Sequence, residues 1–231
     1  MKQAALNAIT SSVQLSYRLK IERAQNFVRF GVTRRLEMIW HAYSDLISTA
    51  DPKRESPISY DESVRLMADL NLIYINIRGV LDNLSWALLH ERGSDKISTN
   101  PRGVGIFLPC IVRDRRFASI HAEIQEHDAW DREVKRRRDP AAHQIPLVVA
   151  SQFLNQDQAE AYRKLEDELP SAFVARDWEA ADAIMERQRD MGRFLPYFTH
   201  DPEDGLIPIY PTTPEDIGHV VERFRIVDAF L

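Results

Sequence analysis

Between residues 70 and 89 the chain is apolar on nearly every side of a helix. Just upstream stands Ser59-Tyr60-Asp61-Glu62, a capping box in which Glu62 can reach back to the Ser59 backbone. A helix starting there should run to about Glu91, where Gly93 is placed to end it. Such a helix shows no polar face along its middle, so it belongs at the centre of a bundle rather than on a surface. Gly79 costs roughly 1 kcal/mol relative to Ala in a helix interior, and a close approach by another backbone is the expected reason for it. Asp82 and Asn83 fall in the same apolar stretch and need partners there. Arg78, four residues before Asp82, can supply one.

Other helices follow from periodicity. Over residues 13–49, Val28, Val32, Leu36, Ile39, Tyr43 and Leu46 share one face, which predicts a single long helix. A third long helix is predicted over residues 116–138, and it is strongly charged. Residues 94–105 read as a polar loop, 106–112 as a short apolar segment broken by Pro109, and 145–150 as an extended strip. Residues 157–169 and 177–191 predict a helical hairpin, with Pro170 ending the first helix, Asp177 capping the second and Gly192 stopping it. Residues 194–211 are Pro-rich loop with short extended pieces. Thr213-Pro214-Glu215 should open the last helix, with Thr213 at the cap. The fold class is therefore all-α: a bundle on three long helices over residues 1–150, then a hairpin and terminal helix over 151–231. Only 8 glycines in 231 residues agree with that.

A net charge of −5 means that the surface as a whole does not attract nucleic acid, so any such contact needs a local basic patch. One is present: Arg113, Arg115 and Arg116 at one end of the third helix, and Lys135, Arg136, Arg137 and Arg138 at the other. The patch suits tracking of an RNA backbone, and cations near a helix C-terminus are also favoured by the macrodipole. Cys110, the single cysteine, excludes an internal disulfide and a cysteine-rich zinc site. No stretch reaches the roughly 20 apolar residues of a membrane span, so no membrane partner and a cytoplasmic location are expected.

The chemistry-bearing string is Arg138-Asp139-Pro140-Ala141-Ala142-His143. Pro140 is expected to break the helix, with Asp139 as cap of a fresh turn. A guanidinium and an imidazole would then meet near a basic helix end and a new N-terminus, both of which favour a phosphate. The string resembles the Arg-[Asn/Asp/His]-x-x-x-His signature of the HEPN superfamily, whose members are helical bundles and in many cases metal-independent endoribonucleases of toxin–antitoxin and phage-defence systems. That resemblance implies an active pair, Arg138 and His143, in a cleft between two protomers. It also implies RNA as substrate (tRNA among the candidates), an antitoxin or defence partner, and no cofactor. Asp139 would orient His143 or cap the turn, and Asp82 or Asn83 would support it from the central helix. Pro140, and Gln144 where an aromatic is common, depart from the usual pattern. The longer pattern over residues 76–86 and 138–147 also looks like a group of bacterial proteins of similar length, which brings no activity with it.

Two alternatives stand beside that reading. In one, the 138–143 turn is structural: Arg138 pairs with a carboxylate, Asp139 caps, and the protein is a non-catalytic helical interaction protein. In the other, Glu123 and His127, with His121, Glu126, Asp128 and Asp131 close by, hold a metal for a hydrolase.

Overall fold

The computed structural model describes residues 2–92, 103–126, 128–201 and 205–231, and of residues 128 and 143 only the backbone. Helix α4 (Tyr60–Glu91) is the axis. The Ser59 hydroxyl accepts the Glu62 N–H at 3.2 Å, and the Glu62 carboxylate accepts the Ser59 N–H at 2.7 Å. Arg54 holds that carboxylate from the other side at 2.7 and 3.0 Å. Along the helix Leu66, Leu70, Ile73, Tyr74, Ile77, Val80, Leu81, Leu84 and Leu88 are fully buried. Gly93 lies outside the described residues.

The stripe from Val28 to Leu46 is buried as expected, but residues 13–49 are not one helix. Helix α1 (Lys2–Arg18) is followed by a break, then α2 (Glu22–Asn26), a π-helical turn (Phe27–Thr33) and α3 (Arg34–Thr49). The break is held from a distance. The Glu91 carboxylate, at the far end of α4, accepts the N–H groups of Lys20 and Ile21 at 3.0 and 3.1 Å. Helix α3 then packs along α4 more extensively than any other element.

The expected third long helix is also divided. A short helix α5 (Pro109–Val112) opens with Pro109 in its first turn, where proline is tolerated, rather than being broken by it. A 3₁₀ turn (Arg115–Phe117) leads into α6 (Ala118–Gln125), and α7 (Asp128–His143) starts afresh. The loop expected over 94–105 lies outside the described residues as far as 102.

Two prolines behave differently from expectation. Helix α7 runs through Pro140 to His143, and α8 (Gln156–Ala175) runs through Pro170. Each proline removes one N–H donor, and both positions lie within the last two turns, where few ladder bonds follow. Helix α8 instead ends at Arg176, in the left-handed region at φ 56°, where the Asp177 N–H returns to Ala172 O at 3.0 Å. Asp177 caps α9 (Trp178–Arg189) by accepting the Ala180 N–H at 3.0 Å.

Among the described residues the strands are three short ones: β1 (Val148–Val149), β2 (Tyr197–Thr199) and β3 (Ile207–Pro208), antiparallel in that order. The strip leading into β1 is fixed to α4. The Asn71 amide exchanges two hydrogen bonds with the Leu147 backbone at 3.0 and 3.1 Å, and Ser63 donates to Val149 O at 2.8 Å. Helix α10 (Thr212–Phe230) begins one residue before the expected cap, and Thr213 is buried in its first turn.

Residues after 150 do two different things. The α8–α9 hairpin has a small core of its own around Leu165, Ala172, Ala181 and Ile184. Phe194, Phe198, Ile209, Ile217, Val220 and Phe224 belong to the same core as α4.

Ser59→Ala should lower stability by about 1 kcal/mol, read as a melting midpoint about 2–4 °C lower for a chain of this size. Hydrogen bonds from Arg54, then the Ser59 N–H, hold the Glu62 carboxyl down at about 2 from an ordinary 4.5. Its folded value lies below its unfolded one. The stabilisation is therefore complete above about pH 4.5 and lost as pH falls toward 2. Urea denaturation between pH 6 and pH 2.5 should show a shallower acid loss for Glu62→Gln than for the wild type.

Candidate nucleic-acid site at the end of helix α7

Helix α7 carries little apolar surface, with Val134 its fully buried aliphatic residue. It is docked by buried carboxylates. Asp131 receives the Arg78 guanidinium from α4, with Lys135 Nζ at 3.5 Å on its other oxygen. Asp216 of α10 accepts Trp130 Nε1–H at 2.8 Å, the Tyr74 hydroxyl at 2.9 Å and Arg137 Nη1–H at 2.5 Å. Burial, then the Asp216 charge, holds the Tyr74 hydroxyl far above the usual phenol range, so it stays a neutral donor.

These pairs reassign much of the expected basic patch. Arg137 is mostly buried and serves Asp216, so it does not belong to an RNA-facing row. Arg136 pairs with Glu133 at 2.8 Å on the exposed face. Arg116 pairs with Asp114 at 2.5 Å. Arg113 and Arg115 are exposed, but they precede α6 and so lie on a different element from α7.

At the motif itself, Arg138 Nη1 donates to Asp139 Oδ1 at 2.9 Å. Arg138 Nε is shielded from solvent and has no hydrogen-bond partner among the described residues. Asp82 joins this group. Burial pushes its carboxyl above the usual value, opposed by the charges of Arg78, Arg138 and Arg35, with Arg78 Nε at 3.6 Å. Asn83 does not join it. Its amide donates to Gly79 O at 2.8 Å and rests against Gly31, in the π-helical turn. The expected chain break between residues 138 and 143 is absent, and the backbone rises about 7.5 Å between them. The His143 side chain lies outside the described residues.

A residue that the sequence does not single out stands next to the motif. His200, just past β2, bonds through Nδ1 to Ile145 O at 2.8 Å, and its Nε2 is shielded and unpartnered among the described residues. It lines a cleft of about 600 Å³ together with Arg136, Asp139 and Pro140. No local pattern marks it. The pairing of Val148 with Thr199 is what carries position 200 beside the chain leaving α7.

The alternative metal cluster does not assemble among the described residues, where no three His, Cys, Asp or Glu side chains converge. Asp131 turns inward under Arg78, while His127 lies outside the described residues. No protein-family model matches the chain, and no curated protein or solved structure is significantly similar to it.

Asp216→Ala should cost roughly 3–5 kcal/mol in urea denaturation, because it strands a buried guanidinium. Arg136→Ala, which removes only an exposed pair, should cost about 0.5 kcal/mol or less.

Proposed function

We propose that the chain is a HEPN-like RNA-binding protein that cleaves RNA at the end of α7 without a metal. One observation carries this reading: Asp139, which accepts a hydrogen bond from Arg138, lines a cleft at the end of α7 together with Glu133, Arg136 and His200. The Arg138 Nε–H, shielded from solvent and without a partner among the described residues, is a donor that a phosphate oxygen satisfies once the side chain turns outward.

In this reading His143 takes the proton of a 2′-hydroxyl, which an imidazole can do near neutral pH. The 2′-oxygen forms a bond to phosphorus as the bond to the 5′-oxygen breaks. That leaves a cyclic phosphate and a 5′-hydroxyl, which takes up a proton. Arg138 balances the extra negative charge at phosphorus. Two copies would face each other across this surface, and an antitoxin or defence partner would cover it.

A second reading has its own support. Lys135, Arg136, Arg137 and Arg138 all make internal ion pairs, which suits a non-catalytic interaction protein whose 138–143 segment is structural.

Purified protein should cleave tRNA or single-stranded RNA in EDTA. His143→Ala and Arg138→Ala should each slow this by about 100-fold or more with no change in melting temperature, and sedimentation should give a dimer. Intact RNA with the wild type would favour the interaction protein, and loss of cleavage only on chelation would favour a metal enzyme.

A further inference from the structure

A second cleft, of about 660 Å³, opens between the π-helical turn and α4, apart from the α7 site. Its walls include Arg23, Asn26, Phe30, Arg34, Arg35 and Asn83, and no carboxylate lines it. None of the three arginines has a carboxylate at ion-pair distance among the described residues. The Arg35 guanidinium is instead bonded to a neutral amide, Asn76 Oδ1, at 2.8 Å. Arg34 lies over the Phe30 ring at 4.9 Å, and Phe30 is 49 % exposed. In a chain of net charge −5, three guanidiniums around one hollow that no carboxylate lines form a local positive field, although Arg35 also acts on the Asp82 carboxyl behind it.

The hollow is built rather than incidental. Two glycines make room for side chains of its wall. A Cβ on Gly31 would run into the Asn83 amide, and one on Gly79 would run into the Arg35 guanidinium. The π-helical turn, Phe27–Thr33, is a backbone departure of the kind that recurs at functional sites. Behind it the Phe27 ring stacks on Trp86 at 5.5 Å and on His90 at 5.4 Å, which gives the wall a rigid aromatic backing. The volume falls in the range of small-molecule sites.

We propose that this cleft binds a nucleoside phosphate, either a free nucleotide or an unpaired nucleotide within an RNA. The parts match that chemistry one by one. Phe30 is half exposed, with Arg34 at 4.9 Å and Arg29 at 5.7 Å from its ring centre, so a base stacks on it by displacing one guanidinium. The Asn26 and Asn83 amides each offer a donor and an acceptor, as a base edge requires. Arg23, Arg34 and Arg35 are forked donors suited to phosphate oxygens. A ligand that is anionic but not planar would use the arginines alone, and a planar uncharged one would leave them unused.

Calorimetric titrations with 5′-AMP, 5′-GMP, ATP, adenosine and a hexa-adenylate RNA test this on the full chain. At least one phosphorylated probe should bind with Kd below about 1 mM, and adenosine should bind more weakly. Arg23 and Arg34 are exposed, so the double variant Arg23→Ala/Arg34→Ala should keep its melting temperature and weaken binding by about tenfold or more. The control Arg163→Ala/Arg187→Ala, which removes the same charge from the hairpin, should bind like wild type. Loss of mononucleotide binding in the double variant would identify a free nucleotide as the ligand. Loss confined to hexa-adenylate would identify an RNA-borne nucleotide. Failure of every phosphorylated probe to bind, or equal affinity in the Arg23/Arg34 variant and wild type, would overturn the proposal.

Discussion

A single buried carboxylate, Asp216, decides where the most charged helix of this protein can sit. Helix α7 has too little apolar surface to be held by burial alone. Asp216 instead takes one donor from α4 and two from α7 on its two oxygens. Burying such a group is costly unless both oxygens are well bonded, and here Tyr74 and Arg137 donate to one oxygen and Trp130 to the other. The arrangement is specific in a way that packing is not, because a rotation of α7 by one residue would remove two of the three donors. Arg78 and Asp131 make a second such tie between the same two helices. The position of Arg138 and Asp139 on the surface follows from these two ties.

What was legible in the residues divides along the range of the forces involved. The capping box of α4, its all-round apolar middle and the Val28–Leu46 stripe depend on neighbours three or four positions away, and all of them appear in the structure. The break after α1 depends on Glu91, seventy residues downstream, and nothing near Lys20 marks it. Pro140 and Pro170 mislead for a related reason. A proline forbids one hydrogen bond, but near a helix end the packing of the preceding turns outweighs that single loss, and the helix continues.

The candidate site was readable in its parts rather than in its assembly. Arg78 and Asp82 pair along α4 as their spacing requires. The cost of Gly79 was readable too, but what approaches is the Arg35 guanidinium rather than a backbone. A glycine states that room is needed and not which group fills it. Arg137 looks like its neighbours in a run of cations, and only the buried partner on α10 separates it from them. His200 reaches the site through strand pairing, a link between positions more than fifty residues apart.

The polar residues within the apolar stretch of α4 explain how one helix positions two different neighbours. At 100° per residue, Asn71, Arg78 and Asp82 fall on one stripe, and Asn76, Gly79 and Asn83 on another, roughly a third of a turn away. The first stripe faces α7 and the chain beyond it: Asn71 binds the Leu147 backbone, Arg78 meets Asp131, and Asp82 lies in the field of Arg138. The second faces the π-helical turn and α3, where Asn76 holds Arg35, Gly79 admits it, and Asn83 rests on Gly31. A helix whose middle was wholly apolar would bind both neighbours with no preferred rotation. Two polar stripes with different partners favour one rotation, which sets α7 on one side and leaves the arginine-lined hollow beside Asn76 and Asn83 on the other.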